Sequence, residues 1–310
     1  MTARISLQSL VVPLLLLIAL VVGAVVNERF LTLGNLRNFT EQLAALGFAS
    51  LGQAFVILGG GIDLSVGAIA SLAAVLLAGI HGGNEALFVP ALLLVLAGGA
   101  VVGALNGWLT VWLRVHPLIV TLGMASVLSG ITLLYAPQPR GSVPFWFEEF
   151  AFGTLAGFPL SGLLLGALFL VTALVLTRTP FGRRVYAIGG NAEAARLTGL
   201  SVKPTIIATY ALSGFFAALA GAYYVSRTGV GDPHAGDALT LASLTPVIVG
   251  GILLGGGRGS VGGVFLGVLL ISLLNNLLNY MNLSTFVQWV AQGLVIIAAV
   301  SFQRQKGRAL

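Results

Sequence analysis

Cysteine is absent from the chain and charge is nearly so: only 8% of its 310 residues are Asp, Glu, Lys or Arg. Without thiols there is no disulfide, no thiolate metal site and no cysteine nucleophile. A water-soluble globule carries about 25% charged residues, so a fraction this low excludes one. The phosphate-gripping pattern G-x-x-x-x-G-K-[ST] is also missing, and with it any recognisable means of hydrolysing ATP on this chain. His81, His116 and His234 show no metal-ligand spacing. No paired acids or nucleophile constellation supports a membrane-embedded enzyme.

What the chain does have is apolar side chains, 57% of the total, and 42 glycines. Both fit a polytopic membrane protein, because glycine is common in membrane helices and lets their backbones approach. Roughly 20 apolar residues cross a bilayer. That criterion predicts one all-α transmembrane domain over 1–310, with about ten helices near 8–26, 42–61, 64–81, 87–113, 118–136, 158–176, 205–226, 239–256, 260–279 and 285–302. The uncharged run Ile5–Asn27 is too long for a signal-peptide core and reads as a retained first span. Gly59-Gly60-Gly61 and Gly255-Gly256-Gly257 could break helices inside the membrane as easily as between them.

The net charge of +6 invites a nucleic-acid reading, but the basic residues sit in short loops beside apolar spans, where membrane orientation explains them better. With the N-terminus in the cytoplasm, Arg4, Arg114, Arg178, Arg183, Arg184, Arg196, Lys203, Arg258, Arg304, Lys306 and Arg308 fall inside. Only Arg29, Arg37, Arg140 and Arg227 fall outside. This bias predicts that both termini and the 178–204 loop are cytoplasmic. Glu28, Glu85, Glu148, Glu149, Asp232 and Asp237 then face outward, where a soluble delivery protein could meet them, although exposed acids need no such explanation.

Five of the fifteen basic residues lie between Thr177 and Pro204. Inside that stretch Asn191 can cap a short helix, Glu193 sits in its first turn where the dipole favours an acid, and Gly199 can end it. A helix held on a basic loop is shaped to be gripped by another protein, and an ordinary connector satisfies the same charges.

Polar residues within the apolar runs form the second group. Asp63, in Gly60-Gly61-Ile62-Asp63-Leu64-Ser65-Val66-Gly67, stands alone between Glu41 and Glu85. A carboxylate at membrane depth costs about 2.5–3.5 kcal/mol on insertion scales and therefore needs a partner or a task. It can cap the helix starting at Leu64, contact a solute, or do both. Gln53, Asn106, Asn275, Asn276, Asn279 and Gln288 offer donors and acceptors without charge, which suits a neutral polyhydroxylated ligand and equally suits hydrogen bonds between helices. Gly99, Gly103 and Gly107 recur every four residues, as do Gly259, Gly263 and Gly267, a spacing for close helix packing. Gly257-Arg258-Gly259-Ser260-Val261-Gly262 matches a dinucleotide fingerprint in form only, with no soluble βαβ unit around it. Leu58-Gly59-Gly60-Gly61 and Leu254-Gly255-Gly256-Gly257 are weakly alike, and internal repeats are common in transporters.

Three stretches resemble one family. T-P-F-G-R-R-V-Y-A-I-G-G-N-A-E-A-A-R-L-T-G, G-G-I-D-L-S-V-G and L-L-N-N-L-L-N-Y are similar to segments of bacterial ABC-type sugar permeases, the ribose, xylose and arabinose importer group. The resemblance runs from about Leu33 to Gln303. It implies a permease subunit, multi-pass in the bacterial inner membrane, that translocates a monosaccharide or related polyol. The implied partners are a second permease copy or related chain, ATPase subunits on the cytoplasmic side and a periplasmic or extracellular substrate-binding protein. ATP and Mg would be bound by the ATPase, and this chain would hold no cofactor. Arg183, Arg184, Asn191, Glu193, Ala194, Arg196 and Gly199 would form the ATPase-coupling loop. Asp63, Ser65, Gln53, Asn106, Asn275, Asn276 and Asn279 are the candidates for the translocation path or a helix cap. Where family members commonly carry an acidic E-L-D-A segment before the glycine pair of the eighth span, this chain has Thr240-Leu241-Ala242-Ser243-Leu244-Thr245-Pro246 before Gly250-Gly251. That departure bears on the substrate class and on whether the permease pair is two copies of this chain. The alternatives are a self-sufficient ion-coupled carrier relying on Asp63, and an ABC permease for branched-chain amino acids.

Overall fold

A computed structural model describes residues 7–306; Arg4 and Arg308, with the chain ends expected in the cytoplasm, lie outside the described residues. The architecture is helical, with one two-residue hairpin. Six helices among the described residues are long and apolar enough to cross a membrane: α2 (Leu33–Leu58), α4 (Phe88–Leu113, preceded by the 3-10 turn Glu85–Leu87), α5 (Pro117–Tyr135), α7 (Leu160–Arg178), α10 (Val202–Thr228) and α13 (Val261–Tyr280). Apolar helices also occupy other predicted positions, namely α1 (Leu7–Val26), α3 (Val66–Ile80) and α14 (Thr285–Lys306).

The centre of the bundle is α2, α3, α4 and α10, with α10 packed on the other three. From Leu43 to Leu58 every residue of α2 is buried, so this helix needs no polar stripe. α5, by contrast, leaves Ile119, Leu122, Val127 and Leu134 exposed, an outer face suited to lipid. The four-residue glycine spacing brings α4 against α10. A Cβ on Gly103 would lie 2.0 Å from the Tyr210 carbonyl oxygen, and one on Gly214 would lie 2.0 Å from that of Gly99. Backbones meet there because nothing stands between them.

Two predicted spans differ from the structure. The helix expected at 42–61 begins at Leu33, where the Thr32 hydroxyl accepts the Asn35 N–H, and ends at Leu58. Arg37 and Glu41 lie in its first turns, which is why an apolar run began too late. The continuous helix expected at 239–256 is broken into α11 (Leu239–Ala242) and α12 (Leu244–Val249), followed by irregular chain to Ser260. Pro246 has no N–H to donate to Ala242, and Gly251 takes φ +90° just beyond. The stretch between the predicted spans, 137–157, holds α6 (Phe145–Phe152) and the start of a hairpin, β1 (Thr154–Leu155) with β2 (Phe158–Pro159).

Candidate functional site

The polar residues singled out in the sequence separate into three places. The first is a buried clasp beside the turn that ends α2. The chain turns out of α2 at Gly59–Gly61 and comes back to start α3, so Asp63 lies inside the bundle. Gln53 of α2 donates to the Asp63 carbonyl and accepts its N–H at 3.4 Å. The Asp63 carboxylate accepts the Ser65 N–H at 2.9 Å and the Ser65 hydroxyl at 2.6 Å on one oxygen, and the Ser213 hydroxyl of α10 at 2.8 Å on the other. Asn106 of α4 donates to Ser65 Oγ at 2.8 Å. Gln53, Asp63, Ser65, Asn106 and Ser213 are all 0% exposed. Asp63 thus fixes the turn before α3, which starts at Val66 rather than Leu64, and ties three helices together. Asn106 Oδ1 has no protein partner.

The second place is a pairing. Asn276 and Asn35 exchange two hydrogen bonds of 3.0 Å between α13 and α2, both buried. The third is a cleft of about 420 Å³ at the end of the bundle where α10 and α13 finish and α14 begins. Asn275 and Asn279 line it, joined by Gln42, Tyr224, Arg227, Gln288, Trp289 and Gln292. Of these partners only Gln288 was singled out from the sequence. Gln292 follows it by one helical turn, a spacing that could have revealed it. Gln42 stands at the first position of the predicted run 42–61, and Arg227 stands near the end of α10, just beyond the run predicted to close at 226.

At the opposite end of the bundle lie two short helices, α8 (Pro180–Gly190) and α9 (Ala192–Leu197). The Thr179 hydroxyl accepts the Gly182 N–H at the start of α8 at 3.3 Å, and Asn191 Oδ1 accepts the Ala194 N–H of α9 at 2.9 Å. Glu193 and Arg196 form an exposed ion pair at 2.6 Å, and the hydrogen bond from Arg196 holds the Glu193 carboxyl below its ordinary pKa. Gly199 follows with φ +81°. Arg183, Arg184, Asn191, Glu193, Ala194, Arg196 and Gly199 are all exposed, and Leu197 beside them is 77% exposed. The hidden face of the same segment is Val185, Ile188, Gly189 and Ala195.

That hidden face sits on two glycine turns. A Cβ on Gly189 would lie 1.8 Å from the Leu58 carbonyl oxygen and 2.5 Å from the Gly257 nitrogen. Gly257 in turn donates its N–H to Leu58 at 2.9 Å. The Tyr186 hydroxyl donates to the Gly259 carbonyl at 3.0 Å, and burial pushes its phenol pKa up. The two turns are the weakly similar segments of the sequence. Gly60 and Gly256, aligned in that comparison, take φ +86° and +82°, a conformation that costs glycine nothing.

Comparison with known proteins gives the family of the chain. The chain is 39% identical to the ribose import permease protein of Bacillus subtilis over 94% of this chain and 91% of that protein. It is 35% identical to the D-allose transport system permease protein of Escherichia coli, covering 94% and 90% of the two chains. With the fructose import permease protein of Rhizobium meliloti the identity is 34%, covering 94% and 84%. No solved structure matches. Residues 35–300 match the family model described as "Branched-chain amino acid transport system / permease component", and the chain belongs to that family.

Proposed function

We propose that this chain is the membrane permease subunit of an ATP-driven, binding-protein-dependent importer of a monosaccharide. In this reading the multi-pass bundle sits in the bacterial inner membrane with both termini and the α8–α9 loop in the cytoplasm, as the excess of basic residues on that side supports. An ATPase grips α8–α9 and supplies ATP and Mg chemistry. The cleft between α10, α13 and α14 opens on the outer side, toward a soluble substrate-binding protein, and a second permease chain completes the assembly. The sugar relatives, aligned over nine-tenths of this chain, favour a sugar over an amino acid as cargo.

The observation that carries the reading is the two-sidedness of α8–α9: one face is charged and exposed, the other is buried and seats Gly189 backbone-to-backbone on the turns that end α2 and precede α13. A push on the free face is therefore delivered to the backbone of the core. ATP-driven closure of the ATPases shifts the balance between outward- and inward-open states only through its preference for one of them. An ion-coupled carrier built on Asp63 is less well supported, because that carboxylate is 0% exposed and is occupied by Ser65 and Ser213.

The test is purification of tagged protein from native membranes in mild detergent, with a crosslinker placed at Ala194. An ATPase crosslinked at Ala194 and a soluble sugar-binding protein are expected. Glu193→Arg and Gly199→Pro are expected to reduce ATPase recovery at unchanged membrane level. Full ATPase association in both variants would count against the docking role.

A further inference from the structure

The amides of α13 and α14 pair crosswise along the cleft. Gln292 Nε2 donates to Asn275 Oδ1 at 3.1 Å, and Gln288 Nε2 donates to Asn279 Oδ1 at 2.7 Å, with a longer contact of 3.5 Å to the Leu283 carbonyl. An amide offers two N–H groups and a carbonyl with two lone pairs. Each pair therefore uses one donor from its glutamine and one lone pair from its asparagine. The Asn275 and Asn279 NH2 groups and the Gln288 and Gln292 carbonyls hold no protein partner among the described residues. All four side chains line the cleft.

The remainder is a set of two couples, each of one donor group beside one acceptor. Asn275 and Asn279 are four residues apart on α13, and Gln288 and Gln292 are four residues apart on α14, so the couples repeat at about 6 Å. A hydroxyl both donates and accepts, so two neighbouring hydroxyls on a sugar ring can satisfy one couple, and the next couple falls close to the far side of the ring. The count does not depend on how each amide is oriented: exchanging N and O in a pair still leaves one donor group and one acceptor. Trp289, 52% exposed, and Tyr224 line the same cleft and can cover the C–H face of a sugar. Arg227 lines the cleft as well; its guanidinium can only donate, so it does not supply the donor–acceptor couple that the amides do.

We propose that the crossed pairs Asn275–Gln292 and Asn279–Gln288 are a hydroxyl-reading site for a neutral sugar within the cleft, and that they set which sugars pass. The inference rests on the importer reading above. It predicts discrimination, because a site built to hydrogen-bond a hydroxyl rejects the analogue that lacks it.

The experiment measures uptake by cells carrying the complete importer. Labelled D-ribose, D-allose and D-fructose are offered first, and then deoxy analogues of whichever is taken up. The wild type is expected to show a KM at least tenfold higher for a deoxy analogue than for its parent. Asn279→Leu and Asn275→Leu are expected to raise the KM for the parent toward that of the analogue, with ATPase recovery unchanged. Should a leucine variant accumulate poorly, Asn279→Ser gives the same readout with a smaller polar side chain. Unchanged discrimination in variants that accumulate normally would overturn the hydroxyl-reading site and leave the importer standing. Absence of any sugar uptake by the wild-type assembly would instead overturn the importer reading.

Discussion

The two ends of the bundle are built from opposite materials. Where α8 meets the turns at 59–61 and 255–257, contact is backbone on backbone, with glycine at nearly every position. In the cleft at the other end, amides and aromatic rings from α2, α10, α13 and α14 face open space. The difference lies in what each end can absorb. A junction without side chains has no rotamers with which to take up a displacement, so it moves as a block or not at all. A cleft lined with long side chains can adjust to a solute while its helices stay put. Between the two ends the Asp63 clasp ties α2, α3, α4 and α10 by hydrogen bonds, which keeps the core a single body.

The sharpest way to break this comparison uses two adjacent glycines. Gly189→Ala sets a methyl 1.8 Å from a carbonyl oxygen that no rotamer can move, whereas Gly190→Ala meets nothing within 4 Å. Overpacking costs about 1–3 kcal/mol, and a backbone obstacle belongs at the top of that range. Gly189→Ala is expected to lower the Tm in detergent clearly and to abolish uptake, while Gly190→Ala behaves as wild type. Equal behaviour of the two would mean that the junction is loose and transmits nothing.

A smaller effect is expected in the clasp. Ser213→Ala removes the one donor that the described residues give the second Asp63 oxygen, and leaving a buried acceptor unpaired costs about 1–3 kcal/mol. Thermal unfolding should register the loss. Since the clasp is closed to solvent, the KM for sugar should not change; a KM effect would bring Asp63 into the solute path.

How much of this was legible in the sequence depended on whether the signal was local. Asn191, Glu193 and Gly199 announce α9 because a cap, a first-turn acid and a left-handed glycine act within one or two turns. The four-residue glycine spacing announced a close helix contact on α4 for the same reason, but not that α10 is the partner. The break at Ser243 was hidden, because hydropathy sums over Pro246 without registering its missing N–H. Asn275 and Asn276 are neighbours in an apolar run and look alike there. Only the tertiary fold turns one into the cleft and the other toward Asn35, 241 residues away. The clasp was half legible: a lone carboxylate had to have partners, but Ser213 is 150 residues distant and carries no mark of its role.

The smallest expected effect is a titration at the exposed loop. The hydrogen bond from Arg196 lowers the pKa of Glu193 in the folded state, so this ion pair contributes stability above the unfolded carboxyl's pKa and loses it as pH falls through the folded value. The whole window lies on the acid side of the ordinary Glu range. Both partners are exposed, so screening keeps the contribution slight, and added salt should erase it. ATPase association measured between pH 8 and pH 6 should therefore stay flat in the wild type, with any decline confined to more acidic solution. Glu193→Gln removes the charge at every pH and should flatten that acid limb without loosening α8 from the glycine turns, because the seated face contains Val185, Ile188 and Gly189 and no part of the ion pair. A decline near neutral pH in the wild type would point to a titrating group other than Glu193. The free face would then owe its grip to something besides this pair.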